Sequence, residues 1–435
     1  MDIFLSDLKF KTFNYFWNVF DTVTFQTDDR YPTRDFTSIA ATGFALPAYI
    51  IGVENQYISR LEGAERAYNV LNWLWNSKQG EEASGTTGYR GFYYHFLNYD
   101  EGTRYKNVEL STIDSGLLFA GILSSQSYFN QDNEMETLIR DLADSLFLRA
   151  QWNWAMNGNP TMSMGWRPES GFIPATWQGY NEAMILLIMA LGSPTYPVPD
   201  DAWKKWCATY EWESFYGYEH VNFGPLFGHQ YSHMFIDFRD IQDEYMYKKG
   251  IDYFENSRRA TLSNRAYCID NPLSFKGYGE NIWGLTACDG PAYELKDHMD
   301  STIQFRTYHA RGVAFGYQHD DGTIAPTAAG GSIPFAPQEC KAALYEMKNK
   351  FGDDLYKEYG FLDAFNLSYS DNGWFNEDYI SIDQGAILIQ LENYHSGLIW
   401  EILKTNKYII NGLLKAGFKG GWLEKSTEKT TQMTN

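Results

Sequence analysis

Carboxyl groups and imidazoles stand at the start of several apolar segments of this 435-residue chain. The acids are Glu109, Asp114, Glu182 and Asp383, and the histidines are His229 and His233. An acid at the start of a helix often only complements the helix dipole, which contributes about 0.3–1 kcal/mol. Two carboxyl groups that face one cleft can instead act as the general acid and general base of a hydrolytic reaction. The neighbours of each acid favour one interpretation or the other.

Glu182 has the surroundings that a structural role explains least. An unbroken run of apolar or small residues at 183–191 follows it, and Trp177 and Tyr180 precede it. A carboxyl group among rings and aliphatic side chains loses hydration, which raises its pKa and keeps it protonated near neutral pH. We therefore expect Glu182 to serve as a general acid.

The general base is sought among the other three acids. Asp383 precedes Gly385 by two positions, and a residue without a side chain lets a ligand or water approach closely. A carboxylate that stays ionised there suits a general base, so we expect Asp383 in that role. Asp114 follows Ser111 by three positions, which is more typical of a helix cap. Asp114 and Glu109 remain alternatives for the base.

The two histidines raise the question of a metal. His229 and His233 are four residues apart, with Asp237 one turn further, so the three could share a helix face and bind an ion. The chain has no HExxH pattern, and its four cysteines form no CxxC pair. We expect the histidines to lie in the core or to contact a substrate, and we predict no metal and no cofactor.

Aromatic residues make up 17% of the chain, and many of them fall in loop-like stretches. Sugars present apolar C–H faces with polar edges, so flat rings interleaved with charged and amide groups suit them. The candidate substrate-binding residues are Tyr89, Arg90, Trp166, Arg167, Trp177, Tyr180, His229, His233, Glu280, Trp283, Asp289 and Trp374. The alternative is that the rings hold long loops together and that the charged residues pair with each other.

Two kinds of helical segment alternate along the chain and must position these residues. Amphipathic segments are predicted at 5–20, 60–77, 133–150, 200–215 and 404–416, and segments that are apolar on every side at 37–52, 110–123, 181–191 and 381–394. Alternating wet and dry helices predict an all-α fold, an (α/α)6 barrel of six helical hairpins. We expect a single domain over residues 1–423, with a two-domain helical bundle as the alternative.

Loop lengths are unequal around this predicted barrel. The connections at 78–109, 151–178, 267–331 and 351–380 are long, and each leads from an amphipathic segment to an apolar one. Alternate loops emerge at the same end of such a barrel, so the long ones should share one rim, and long loops in compact domains are usually functional. The polar tail at 424–435 is predicted to be disordered and receives no function.

The formal net charge of −20 limits the possible partners. It repels phosphate backbones and anionic bilayers, so we expect neither nucleic acid nor membrane as a partner, but a neutral oligo- or polysaccharide. No apolar run is long enough to span a bilayer, and residues 1–20 do not resemble a signal peptide. We expect a cytoplasmic monomer, or a periplasmic or secreted one if a leader has been removed.

Eight stretches in order resemble the bacterial glycoamylase-like family of glycoside hydrolases, which includes β-1,2-glucanases. They are GFYYHFLN, ELSTIDSGLLFAG, MGWRPESGFIPATWQGYNEAMIL, GSPTYPVP, LFGHQYSHMFIDFRDIQD, ENIWGLTACDGP, DGTIAPTAAGGSIPFAPQ and IDQGAILIQLENYHSGLIW. The resemblance implies an (α/α)6 barrel with the catalytic acid at Glu182, and we assign the base to Asp383. The chain departs from the pattern of the family at Asn98, where aspartate is common, and at Cys288, where serine is common.

The resulting hypothesis is a hydrolase of a neutral glucan, with β-1,2-glucan or its oligosaccharides preferred. Glu182 and Asp383 belong to different apolar helices, which favours the wider carboxyl spacing of inverting enzymes, about 6.5–9.5 Å. An exo-acting α-glucan hydrolase is the alternative within this class. Outside it stand a non-catalytic sugar-binding protein and a polysaccharide lyase that uses Tyr231 or His229 as base with Arg239 against a uronate.

Overall fold

The computed structural model describes residues 2–299 and 301–424, of which helices are the main element. The α-helices are α1 Ile3–Asn18, α2 Ile39–Glu54, α3 Arg60–Asn76, α4 Thr112–Tyr128, α5 Glu134–Arg149, α6 Trp152–Ala155, α7 Met184–Gly192, α8 Ala202–Cys207, α9 Tyr231–Phe235, α10 Glu244–Lys249, α11 Tyr253–Asp270, α12 Pro326–Gly330, α13 Pro337–Phe351, α14 Ser381–His395, α15 Leu398–Leu403 and α16 Lys407–Lys415. Short 3₁₀ turns lie at Leu226–His229 and Gly352–Asp354.

Helices α2, α4, α7 and α14 form the interior, as their apolar composition predicts. Helix α2 packs against α4 and α14, α4 packs against α7, and α9 contacts both α7 and α14. Glycines allow α2 and α4 to touch along their backbones, because a Cβ atom at Gly43 would lie 2.5 Å from the carbonyl oxygen of Leu117. Gly121 of α4 faces Gly43 in the same contact. The interior helices therefore approach one another closely and hold their N-termini in fixed positions.

The amphipathic helices lie outside this layer. Helix α1 packs on α2 and α14, α3 packs on α2 and α5, and α16 packs on α7. Ser59 begins α3 with a capping box that Glu62 completes. Arg60 of α3 donates to Glu136 of α5 at 2.8 Å, which ties two outer helices together. The apolar faces of these helices point inward and most of their charged residues lie at the surface, although Lys9 of α1 and Glu136 of α5 are buried.

The loops carry short strands, all in antiparallel pairs among the described residues. The strands are β1 Arg30–Tyr31, β2 Thr37–Ser38, β3 Gly88–Tyr89, β4 Phe92–Tyr93, β5 Phe96–Leu97, β6 Leu110–Ser111, β7 Gly165–Arg167, β8 Gly171–Phe172, β9 Trp212–Phe215, β10 Tyr218–Val221, β11 Ala287–Cys288, β12 Glu294–His298, β13 Ser301–Phe305, β14 His309–Ala310, β15 Gly312–Ala314, β16 Tyr317–His319, β17 Thr323–Ile324, β18 Tyr356–Lys357, β19 Gly360–Phe361, β20 Phe365–Asn366, β21 Trp374–Phe375 and β22 Tyr379–Ile380.

These strand pairs fasten the long loops to the starts of the interior helices. Strand β2 leads into α2 and pairs with β5, β6 leads into α4 and pairs with β7, and β22 leads into α14 and pairs with β1. In this register Leu110 lies opposite Trp166, and Tyr31 lies opposite Tyr379. The expectation of purely helical architecture omitted these pairs, which position the loops above the interior helices.

The segment at 200–215 departs from its predicted helix. Helix α8 ends at Cys207, and residues Trp212–Phe215 form β9, which pairs with β10. Tyr216 and Gly217 both have positive φ angles, 49° and 81°, as a two-residue hairpin turn requires. Aromatic residues on both sides of a Tyr-Gly turn thus outweighed the weak helical periodicity.

Two further boundaries differ, and one prediction lies beyond the described residues. Helix α11 continues to Asp270, so the long connection predicted from position 267 starts a few residues later. In the segment at 404–416 the helix begins at Lys407, because Asn406 caps its first turn. The tail predicted to be disordered falls almost wholly outside the described residues, since only Glu424 belongs to them. Within the described part, no helix combines the length and apolarity that crossing a membrane requires.

Candidate active site

Glu182 lies immediately before α7, where the chain enters the apolar interior. Its carbonyl oxygen accepts a hydrogen bond from Ser232 at 3.0 Å, and the same hydroxyl accepts from the backbone of Ile185 at 3.0 Å. This bridge fixes the start of α7 against α9. Burial, with a smaller contribution from the charge of Asp114, raises the pKa of Glu182 to about 7. The carboxyl group can therefore hold a proton near neutral pH, as its sequence context predicts.

His95 contacts both Glu109 and Asp114, the acid whose charge raises the pKa of Glu182. The Nδ1 atom of His95 lies 3.0 Å from Oε1 of Glu109, and its Nε2 atom lies 3.5 Å from Oδ1 of Asp114. Burial alone would lower the pKa of His95, but the charges of Asp114 and Glu109 outweigh it and raise the pKa to about 9. The hydrogen bond with His95 and the charge of Arg167, at 3.2 Å, hold the pKa of Glu109 at about 2. Glu109 is consequently a weak base.

Asp114 also supports the helix that carries it. Ser111 caps α4 by accepting from the backbone N–H of Asp114 at 3.3 Å, and the two side chains are hydrogen-bonded to each other. This geometry agrees with the capping role that its spacing predicts. Because Asp114 also raises the pKa of Glu182, it serves both the helix and the site.

Asp383 lies in the first turn of α14 and is only 3% exposed. Burial, together with the charge of neighbouring Asp363, raises the pKa of Asp383 well above its ordinary value. This direction opposes the expectation that Asp383 by itself stays ionised. Sequence proximity does not predict the contact, because Asp363 is twenty positions away and reaches Asp383 only in the folded chain.

Tyr231 lies near Asp383 as well as near Glu182 and Asp114. It begins α9, and the negative charges that raise the pKa of its buried hydroxyl include those of Asp383, Glu182 and Asp114. Tyr308, whose ring is 46% exposed, also lies near Asp383. The N-termini of α4, α7, α9 and α14 thus bring their acids and Tyr231 to one place, which we call the acid funnel (Asp114, Glu182, Tyr231 and Asp383).

Part of the predicted aromatic set lies on the loops above the interior helices. The rings of Tyr89 and Trp166 are 5.1 Å apart, and the guanidinium group of Arg90 lies 5.0 Å from the centre of the Tyr89 ring. Trp166 lies opposite Leu110 in the β6–β7 pair, and Leu110 directly follows Glu109 in the chain. Trp374 is half-buried on β21. Their partial exposure is compatible with stacking on a sugar.

Other predicted substrate-binding residues prove to be buried. Trp283 and Tyr180 have no exposed surface, and Trp177 is 9% exposed and donates to Thr112 at 3.0 Å. His229 and His233 are also completely buried, and His233 lies 3.0 Å from the hydroxyl of Ser257. A ring without exposed surface cannot stack on a sugar, so Trp283, Tyr180, His229 and His233 are core residues in this structure, and Trp177 keeps only a narrow exposed edge. Rings beside apolar helices look alike in sequence whether they point in or out.

The predicted polar substrate-binding residues also divide into those near the acid funnel and those away from it. Arg167 contacts Glu109 beside the funnel, and Asp289 accepts from Arg30 at 2.8 Å near Asp363. Glu280 instead extends into solvent and pairs with Arg265 of α11 at 3.1 Å. Its assignment to substrate is not supported by any contact with the acid funnel among the described residues.

The residues considered for a lyase or a metal site make other contacts or are buried. Arg239 is bonded to Asp237 at 2.7 Å, and its guanidinium group covers the ring of Trp400. Burial lowers the pKa of His229 well below its usual value. Among the described residues, no group of three or more His, Cys, Asp or Glu side chains is arranged to hold a metal. Because Arg239 is paired with Asp237, its role against a uronate is not supported by this arrangement.

Sequence reasoning missed His95, Asp363, Tyr308 and Arg30. Asp363 interrupts the apolar run GFLDAF, the same signal that marked Glu182, and could have been found by it. His95 stands among rings in the stretch YYHF. No local signal distinguishes Tyr308 or Arg30.

Known proteins share this architecture. The Glycoamylase family model, described as "Putative glucoamylase", matches residues 174–407, more than half of the chain. The chain belongs to this family. Its resemblance to glycoamylase-like proteins, inferred from eight stretches of sequence, is thereby confirmed.

Three relatives illustrate the range of the similarity. An exo β-1,2-glucooligosaccharide sophorohydrolase (non-reducing end) of Parabacteroides distasonis is 28% identical over 93% of this chain, which spans a little over half, 56%, of that protein. A crystal structure described as a putative glucoamylase from Bacteroides uniformis is 33% identical, with a TM-score of 0.82 over 96% of this chain and 97% of that one. An endo-β-1,2-glucanase from Chitinophaga pinensis, in complex with sophorotriose and glucose, is 28% identical, with a TM-score of 0.82 over 96% and 98%.

Proposed function

We propose that the protein is a glycoside hydrolase that cleaves β-1,2-glucan or its oligosaccharides within an (α/α)6 barrel. The observation that carries the proposal is Glu182, a partly buried acid with a pKa of about 7 in one funnel with Asp383. A proton donor and a second carboxyl group are what hydrolysis of a glycosidic bond requires. Two of the relatives above are named for action on β-1,2-linked glucans, which supports this linkage.

The barrel is supported by the succession of interior helices. Contacts run from α14 to α2, from α2 to α4, from α4 to α7 and from α7 to α9, and α9 and α12 both return to α14. Helices α1, α3, α5 and α16 lie outside that ring. Helix α13 packs on α12 from outside. An (α/α)6 barrel pairs each of six interior helices with an outer one, and these contacts support that arrangement.

In the proposed reaction Glu182 donates its proton to the leaving oxygen. A water molecule attacks the anomeric carbon from the opposite face and gives its proton to the carboxyl group at Asp383. The C–O bond to the leaving sugar breaks as the bond to water forms. Glu109 is a poorer base than Asp383, because His95 and Arg167 hold its pKa at about 2.

A panel of linear glucans tests the proposal. We expect β-1,2-glucan to yield short oligosaccharides when products are sized, and β-1,3-, β-1,4- and α-1,4-glucans to remain intact. Release of glucose from the α-1,4-glucan would favour the exo-acting alternative. Binding of β-1,2-oligosaccharides without new reducing ends would favour a sugar-binding protein.

A further inference from the structure

Two buried carboxyl groups of the site face each other. Asp363 and Asp383 are 2% and 3% exposed, and their side chains are in hydrogen-bonding contact. Oδ1 of Asp363 and Oδ2 of Asp383 are both buried, and neither has a donor among the described residues. Two ionised carboxylates in such contact would repel each other, and neither of the two facing oxygens would have a donor to offset that repulsion.

The rest of Asp363 is held firmly. Its Oδ2 atom accepts from the backbone N–H of Asp289 at 2.8 Å and from the side-chain amide of Asn376 at 3.2 Å. Both of these donors therefore bind the same oxygen, Oδ2. The other oxygen, Oδ1, faces Asp383, and this contact between two carboxyl oxygens becomes favourable only with a proton between them.

The surrounding charges disfavour two negative charges on the pair. The titratable groups that face it are Asp29, Asp289, Tyr231, Cys288 and Tyr308. Arg30 is the nearby cation, and it already contacts Asp29 at 3.2 Å and Asp289 at 2.8 Å. Arg311, which contacts Cys288, is paired with Asp321 at 2.7 Å. Because both of these arginines are already paired with other carboxylates, a single proton on the pair removes a negative charge that neither arginine is free to compensate.

We propose that Asp363 and Asp383 share one proton, held between Oδ1 of Asp363 and Oδ2 of Asp383, with Asp363 as a positioning residue. The pair then carries one negative charge, not two. Its catalytic consequence rests on the proposed function: the base is the pair, and the proton taken from water makes both groups neutral until solvent removes it. Asp363 orients Asp383 and sets its charge without touching the substrate.

Infrared spectroscopy detects the shared proton directly. The carboxylic acid C=O band is measured at about pH 8, where Glu182 and Asp320, with pKa values of about 7 and about 6, are largely ionised. We expect a band in the wild-type protein that disappears in both Asp363→Asn and Asp383→Asn. In each variant the introduced amide can donate to the remaining carboxylate, which no longer needs the proton.

Asp320→Asn is the matched control. Asp320 also has a pKa raised by burial, but its carboxyl group accepts from Tyr267 at 2.9 Å and Tyr278 at 2.6 Å, so it shares no proton with another acid. Its variant should keep the band. A missing band in the wild type, or an unchanged band in folded Asp363→Asn or Asp383→Asn, would overturn the proposal. Because the band does not depend on turnover, a failure to cleave glucans would refute the proposed function alone.

Discussion

Replacement of Glu182 by glutamine gives the sharpest test of the site. The amide has nearly the same shape but cannot donate a proton as an acid. Since the pKa of Glu182 is about 7, about half of the molecules are protonated at pH 7, against about 0.3% for a carboxyl group at its ordinary value of 4.5. The fold thus makes the acid form about 150-fold more abundant at neutral pH.

We expect Glu182→Gln to lower kcat on β-1,2-glucan by about two to four orders of magnitude, the usual contribution of general acid catalysis. The assay measures new reducing ends, and oligosaccharide binding is measured by calorimetry. Binding should remain within a few fold of wild type. Retention of more than about a tenth of the wild-type rate would refute the assignment.

The same variant makes a prediction about stability with a definite sign. A carboxyl group whose folded pKa is raised from 4.5 to about 7 contributes its full stability below about pH 4.5 and loses it as the pH rises through about 7. The penalty above pH 7 is at most about 3 kcal/mol, and partial exposure reduces it to about 1–2 kcal/mol. Glu182→Gln should therefore melt about 1–2 °C higher than wild type at about pH 8, with the difference vanishing near pH 4. An equal or lower Tm at pH 8 would contradict the raised pKa.

The remaining predictions concern the neighbours of Glu182, the rings and the stereochemistry. Asp114→Asn removes a charge that raises the pKa of Glu182, so the basic limb of the kcat/KM profile should move to lower pH; an unmoved limb would place Asp114 out of electrostatic reach. Trp166→Ala should lower kcat/KM by a factor equivalent to about 1–3 kcal/mol. Trp283→Phe should instead lower Tm with KM unchanged, because the Trp283 ring is buried. The reverse pattern would restore the assignment of Trp283 to the substrate-binding residues. Proton NMR of the earliest product from a β-linked substrate should show the α-anomer, since acids on separate helices favour inversion; initial β-anomer would exclude a single displacement.

The sequence by itself determined the alternation of the helices and singled out Glu182 as the candidate acid. Apolar and amphipathic segments differ in how many faces they bury, and local composition reflects that difference. Helices α2 and α4 therefore begin two residues after their predicted starts, and α14 begins at its predicted start. Glu182 was found because an acid next to an apolar run has no local partner. Both inferences use only neighbours along the chain.

Tertiary structure alone decided which rings stay exposed and which acids lie near each other. Trp166 and Trp283 both stand in ring-rich loops, and only packing separates the partly exposed ring from the buried one. The short β2–β5 and β6–β7 pairs join residues up to 60 positions apart, which no local periodicity records. Asp363 raises the pKa of Asp383 because the segment between β19 and β20 lies against the first turn of α14, where Gln384 donates to the carbonyl oxygen of Phe361. The electrostatics of the site thus depend on contacts between residues distant in sequence.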